Sequence, residues 1–174
     1  KSEADQDSLV IDKTSFINNS AYQGYDGNGA DIMINAFGKA YLTNVLFSAN
    51  IGGGVSALHW SAQQNKSAIR IINSTFAKNS GNESFGASTM TLEGYGTQEI
   101  INTIVWHNVI YGYPVINGGA SISYSNIEGG SAGTGNLDTD PGFVDLANGD
   151  LHLSDSSPSL GAGTLEGAPT TDIE

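Results

Sequence analysis

Ile71-Ile72-Asn73-Ser74-Thr75-Phe76-Ala77-Lys78-Asn79 decides the fold, because the chain repeats it with small changes. Upstream stand Val10-Ile11-Asp12-Lys13-Thr14-Ser15-Phe16-Ile17-Asn18-Asn19 and Tyr41-Leu42-Thr43-Asn44-Val45-Leu46-Phe47-Ser48-Ala49-Asn50. Downstream stands Ile101-Asn102-Thr103-Ile104-Val105-Trp106-His107-Asn108. An apolar residue recurs at 16, 47, 76 and 105, in steps of 31, 29 and 29, and asparagine follows each three residues later. A second asparagine precedes the anchor by three at Asn44, Asn73 and Asn102, and a degenerate fifth copy reads Ile122-Ser123-Tyr124-Ser125-Asn126-Ile127.

A step near 30 with strand-like content means one supersecondary unit per repeat, stacked on its neighbours. Apolar residues alternate in short runs instead of falling at helical spacing. Second strand-like runs lie at 31–34, 55–60, 87–92 and 114–116, behind turns such as Gly27-Asn28-Gly29, Gly52-Gly53-Gly54 and Gly86. These features specify an all-β parallel β-helix of about five coils over residues 1–130, with neighbouring coils about 4.8 Å apart. Residues 131–174 are expected to form an irregular capping or edge segment of the same domain. Phe16, Phe47, Phe76 and Val105 are expected to stack inside. Asn19, Asn50, Asn79 and Asn108 are expected to turn corners with left-handed φ and to bond amide to amide along the axis.

With 174 residues the chain can bury one core, and 39% apolar against 14% charged residues argues against disorder. Six Lys and Arg face 18 Asp and Glu, and beyond Lys78 there are twelve acids and no further Lys or Arg. Nucleic acid needs cations to neutralise its phosphates, so it is excluded as a partner. There is no cysteine, hence no disulfide or thiolate site. No apolar run approaches the roughly 18 residues of a membrane helix, and the lack of a signal-peptide pattern at Lys1–Ser8 is what a mature or excised chain is expected to show. Asn18, Asn65, Asn73 and Asn82 match the glycosylation pattern, a match that arises by chance in a chain rich in Asn, Ser and Thr.

Candidate chemistry is sparse. Uronate cleavage needs a cation beside the substrate carboxylate and a base for the α-proton; glycoside hydrolysis needs paired carboxylates. His59, Trp60, Lys66 and Arg70 bracket one loop and are candidates for ligand contact; His107 and His152 read as corner or surface residues. Asp138, Asp140 and Asp145, with Asp150 and Asp155, form the densest acidic stretch. They suit turns first, and Ca²⁺ second, because Ca²⁺ takes several oxygen ligands. Tyr22, Tyr25, Tyr95, Tyr111 and Tyr113 lie beside glycines as candidate sugar platforms or edge packing.

Phe-x-x-Asn at 16–19, 47–50 and 76–79, with Gly53-Gly54-Val55 and Gly118-Gly119-Ala120, resembles the passenger repeats of polymorphic outer-membrane proteins. The stretches 102–108, 123–130, 140–145 and 157–163 resemble the C-terminal coils of bacterial right-handed β-helix repeat proteins with a choice-of-anchor region. That resemblance implies a right-handed parallel β-helix and an extracellular or cell-surface location. It leaves function open among adhesins, polysaccharide-active enzymes and other roles. The first expectation is a secreted or surface module for adhesion, glycan contact or extracellular assembly, leaning away from catalysis, with a glycan or surface protein as partner. One alternative is the C-terminal part of a polysaccharide lyase or glycosidase. Another is a subunit that self-associates end to end into a fibre, because repeat sequence from Leu9 and a tail at Thr171-Asp172-Ile173-Glu174 suggest uncapped ends.

Overall fold

A computed structural model of the chain describes residues 8–20, 32–36, 38–62, 66–81 and 87–174. Among the described residues there are strands and turns but no helix. The candidate platforms Tyr22 and Tyr25, the glycine turns at Gly27-Asn28-Gly29 and Gly86, and the glycosylation matches at Asn65 and Asn82 lie outside the described residues.

One parallel sheet collects β1 (Ser8–Ile17), β3 (Lys39–Ser48), β5 (Ala68–Ile72), β6 (Thr75–Ala77), β8 (Thr97–Ile101), β9 (Ile104–Trp106), β11 (Ser121–Ser123) and β12 (Asn126–Ile127). A second collects β2 (Ile32–Ala36), β4 (Val55–Ala62), β7 (Ser88–Gly94) and β10 (Ile116–Gly118), also parallel. The chain is therefore a parallel β-solenoid, whose repeats pair at offsets of 31 and then 29 residues, as in Phe16↔Phe47 and Phe47↔Phe76. The fifth copy pairs at only 22 residues, as in Asn126↔Ile104. The stack amounts to about three turns, fewer than the five coils that the repeats suggest, because the first copy pairs on one side only and the last is short.

Inward residues meet their own kind one coil on. Leu42, Ile71, Ile100 and Ile122 form one row, and Ile34, Trp60 and Leu92 another, all buried. Each such aliphatic side chain stabilises the stack by about 1.5–3 kcal/mol on leaving water. The corners fall where φ turns positive: Lys13, Asn44, Asn73, Asn102 and Tyr124 at one, Asn18, Ala49, Lys78 and His107 at the other. This corrects the assignment of left-handed φ to Asn19, Asn50, Asn79 and Asn108. The left-handed residue stands just before each of them, and their own role is in the side-chain amide.

The last rung of the first sheet is covered by the chain that follows it. Ile127 N–H donates to Leu137 O, and Leu137 N–H donates to Ser125 O, so the 134–139 stretch covers the last rung. Then come β13 (Phe143–Asp145) and β14 (Asp150–Leu153), which pair antiparallel. At the other end β1 is largely exposed, with Val10 63% open to solvent.

Candidate functional site

Phe16, Phe47 and Phe76 stack with ring centroids 4.8 Å apart and planes within 14° and 10°. Val105 and then Ile127 continue the column in register. Beside it runs the amide ladder. Asn50 Oδ1 accepts from both N and Nδ2 of Asn19, Asn79 Oδ1 from both of Asn50, and Asn108 Oδ1 from both of Asn79. Each Nδ2 also donates to the carbonyl of the anchor one coil back: Asn50 to Phe16, Asn79 to Phe47, Asn108 to Phe76. Asn50 and Asn79, both fully buried, thus each satisfy their own side-chain amide and two backbone groups.

The second corner is built differently. Ser74, Thr103 and Ser125, all buried, donate to the carbonyl two residues back. Ser74 Oγ accepts from Val45 N, and Ser125 Oγ from Thr103 N. These hydroxyls were not singled out from the sequence, although each stands directly after a left-handed residue of the repeat. The asparagines at this corner reach outward to the chain's own C-terminal segment. Asn126 Nδ2 donates to Thr139 O and Ser159 Oγ, and its Oδ1 accepts from Thr139 N. Asn102 Nδ2 donates to Thr164 O at 2.8 Å, and its Oδ1 accepts from Thr164 N at 2.8 Å. Asn44 Nδ2 donates to Thr171 O. Residues 159–174 therefore run back across the coils as a strap. Gly163 eases this approach: a Cβ there would sit 3.1 Å from Asn102 Oδ1, so the amide would have to shift by a few tenths of an ångström.

Between the corner and the strap lies a groove of about 1090 Å³, bounded by Asn44, Asn73 and Asn102 on one side and by His152 and Glu174 on the other. His152 bridges two carboxylates, with Nδ1 2.5 Å from Asp150 Oδ1 and Nε2 2.8 Å from Glu174 Oε1. Asp150 first, and then Glu174, raise the imidazole pKa above its ordinary 6.5, and the same contact lowers the Asp150 carboxyl below 3.8. Lys78 Nζ, from the other corner, donates to Leu146 O and Ala147 O in the turn joining β13 to β14.

The residues expected around a ligand do not share one face. Trp60 points into the core with no exposure and with its Nε1 unpartnered, so it presents no ring to solvent. His59 lies on the outer face of β4, with Met33 and Thr91 beside it in register. Its Nε2 is 3.9 Å from Glu93 Oε2, too long for a hydrogen bond, and both ring nitrogens lack one. Arg70 is on the outer face of β5 in the other sheet, its Nε 2.7 Å from Glu99 Oε2, an ion pair whose angle falls outside hydrogen-bond geometry. Lys66 is exposed beyond β4. Of the tyrosines, Tyr95 and Tyr113 are exposed and Tyr111 half-buried.

The acidic stretch is engaged in turns. Asp138 accepts from Gly129 N, Asp140 from Gly142 N, and Asp145 from Asn148 N and Nδ2. The Asn148 bonds hold the Asp145 carboxyl below its ordinary pKa. Among the described residues no three His, Asp or Glu side chains gather as a metal cluster, and no helix is long and apolar enough to cross a membrane. Compared with family models, with curated proteins and with solved structures, the chain matches none.

Proposed function

We propose that the chain is a β-solenoid module of a secreted or surface-displayed protein, which holds a glycan or partner surface instead of turning over a substrate. The observation that carries this reading is an outward row in the first sheet. Val10, Tyr41, Arg70, Glu99 and Ser121 stand side by side in register, one per coil. Arg70 and Glu99 keep 38% and 43% of their side chains exposed. A phenol ring beside a guanidinium and a carboxylate, spaced at the coil repeat of about 4.8 Å, offers stacking and polar contacts to an extended amphipathic ligand. The resemblance of the repeats to outer-membrane passenger repeats supports the same reading. End-to-end stacking into a fibre is disfavoured at the last rung of the first sheet, which residues 134–139 cover.

The test is calorimetry with a panel of neutral and acidic oligosaccharides. Tyr41→Ala and Arg70→Gln are each expected to weaken a binder about tenfold, equivalent to roughly 1.4 kcal/mol, while incubation with polysaccharide yields no unsaturated uronate and no new reducing ends. Turnover that disappears in His59→Ala or Arg70→Ala would refute the binding reading and favour the lyase alternative.

A further inference from the structure

The asparagines of the outer corner read polypeptide backbone. Asn126 and Asn102 each engage one residue through both its N–H and its C=O, Thr139 and Thr164 respectively. A side-chain amide has one donor edge and one acceptor edge at peptide spacing, so it pairs with the N–H and C=O of a backbone residue as a neighbouring peptide group would. Asn44 makes half of the same pair: Nδ2 donates to Thr171 O and, at 3.5 Å, to Asp12 Oδ1, while Oδ1 has no partner among the described residues although Asn44 is only 2% exposed. A buried acceptor left unfilled is costly and marks a position where a further N–H fits. Asn73 stands between them at the groove wall, its Oδ1 taken by Asn102 Nδ2.

The occupant of this row is weakly held by its side chains. Leu165 is 95% exposed and Leu160 54% exposed, so the strap buries little apolar surface and depends on a few polar contacts. Segments of that kind detach at low free-energy cost.

We propose that the Asn44–Asn73–Asn102 row is a binding site for polypeptide backbone, filled in cis by residues 159–174 and in trans by the same segment of a second copy. Specificity for that segment follows from its fit: Thr164 and Thr171 meet Asn102 and Asn44 of the row, Ser159 meets Asn126 beside it, and Gly163 eases the close approach to Asn102. The cis strap has the advantage of high effective concentration, so exchange in trans is favoured when its own hold is loosened. The proposal stands independently of glycan binding by the outer sheet face.

The test uses the full chain and a dye-labelled peptide of residues 159–174, followed by fluorescence anisotropy. Thr164→Pro removes the N–H that Asn102 accepts and loosens the cis strap. This variant is expected to bind the peptide at least tenfold more tightly than the unmodified chain does. Adding Asn102→Gly, which keeps the left-handed backbone (φ 52°) but removes the amide, is expected to weaken that binding tenfold or more. The circular dichroism spectrum of each variant checks that the solenoid is intact. The site is overturned if Thr164→Pro binds no more tightly than the unmodified chain, or if Asn102→Gly leaves its binding unchanged. A scrambled peptide that binds equally well overturns the assignment to a second copy.

Discussion

Two rows of asparagine run along the same solenoid with the same period, and they are satisfied in opposite ways. The row Asn19–Asn50–Asn79–Asn108 closes on itself, each amide bonded to the next and to the backbone one coil back. The row Asn44–Asn73–Asn102 is closed only in part by its own members, through Asn102 to Asn73, and otherwise by a strap many residues away in sequence. Residue type and periodicity are shared, so neither explains the difference. What separates the rows is surroundings: the first lies beside the phenylalanine stack, where its own members and the backbone one coil back satisfy it, and the second faces a groove.

Breaking the inner row should cost the most. Phe76→Ala removes a ring stacked on Phe47 and fully buried, and is expected to destabilise the chain by roughly 3–5 kcal/mol in denaturant titration. A loss well under 1 kcal/mol would show that the stack does not carry the core. Asn79→Ala is expected to cost about 3 kcal/mol, because it leaves Phe47 O, Asn50 N and the neighbouring amides unpaired in a buried place.

The outer row should respond locally instead. Asn102→Gly is expected to cost about 1 kcal/mol or less in global stability, since Gly suits the backbone, while amide exchange across 159–174 accelerates markedly. The strap should also depend on pH through His152. Its pKa is raised in the folded state, so its contribution is complete below about 6.5 and is lost as pH rises through the folded value. The Asp150 carboxyl is shifted down, so its contribution is present above its ordinary 3.8 and is lost as pH falls through the folded value. Strap exchange should therefore be slowest between those two titrations and faster on either side. Profiles that are flat from pH 5 to 9 would show that the Asp150–His152–Glu174 bridge does not anchor the strap.

The contrast also separates what can be read from sequence from what cannot. The inner row was legible because its partners are copies of itself: an apolar anchor and an asparagine three residues on, recurring every 29–31 residues, imply the pairing that Phe47 and Phe76 show. The parallel strands and the second-sheet runs at β4 and β7 follow from the same repeat. The strap left no such trace, because Thr164 and Thr171 belong to no repeat and meet Asn102 and Asn44 only in the folded chain. Trp60 was placed beside His59 as a ligand contact by proximity in sequence, yet successive residues of a strand point to opposite faces, so the ring went to the core. The hydroxyl row Ser74–Thr103–Ser125 was within reach, but serine and threonine are too common in this chain to stand out singly.

The smallest expected effect tests the corner between the rows, where Ala49, Lys78 and His107 carry a β-carbon at left-handed φ. An L-residue there pays roughly 1–2 kcal/mol that glycine does not, offset in part by the greater freedom of glycine in the unfolded chain. Ala49 has only a methyl group to lose, so Ala49→Gly is expected to stabilise by about 0.5–1 kcal/mol. Lys78→Gly relieves the same strain but removes the ammonium that holds Leu146 O and Ala147 O, about 1.5–3 kcal/mol for bonds to a charged group when well ordered and less where exposed. The two substitutions should therefore differ in sign, Ala49→Gly raising the melting temperature and Lys78→Gly leaving it level or lowering it. Equal stabilisation by both would mean that Lys78 does not tie the C-terminal segment to the solenoid, and that its left-handed backbone is held by the coil alone.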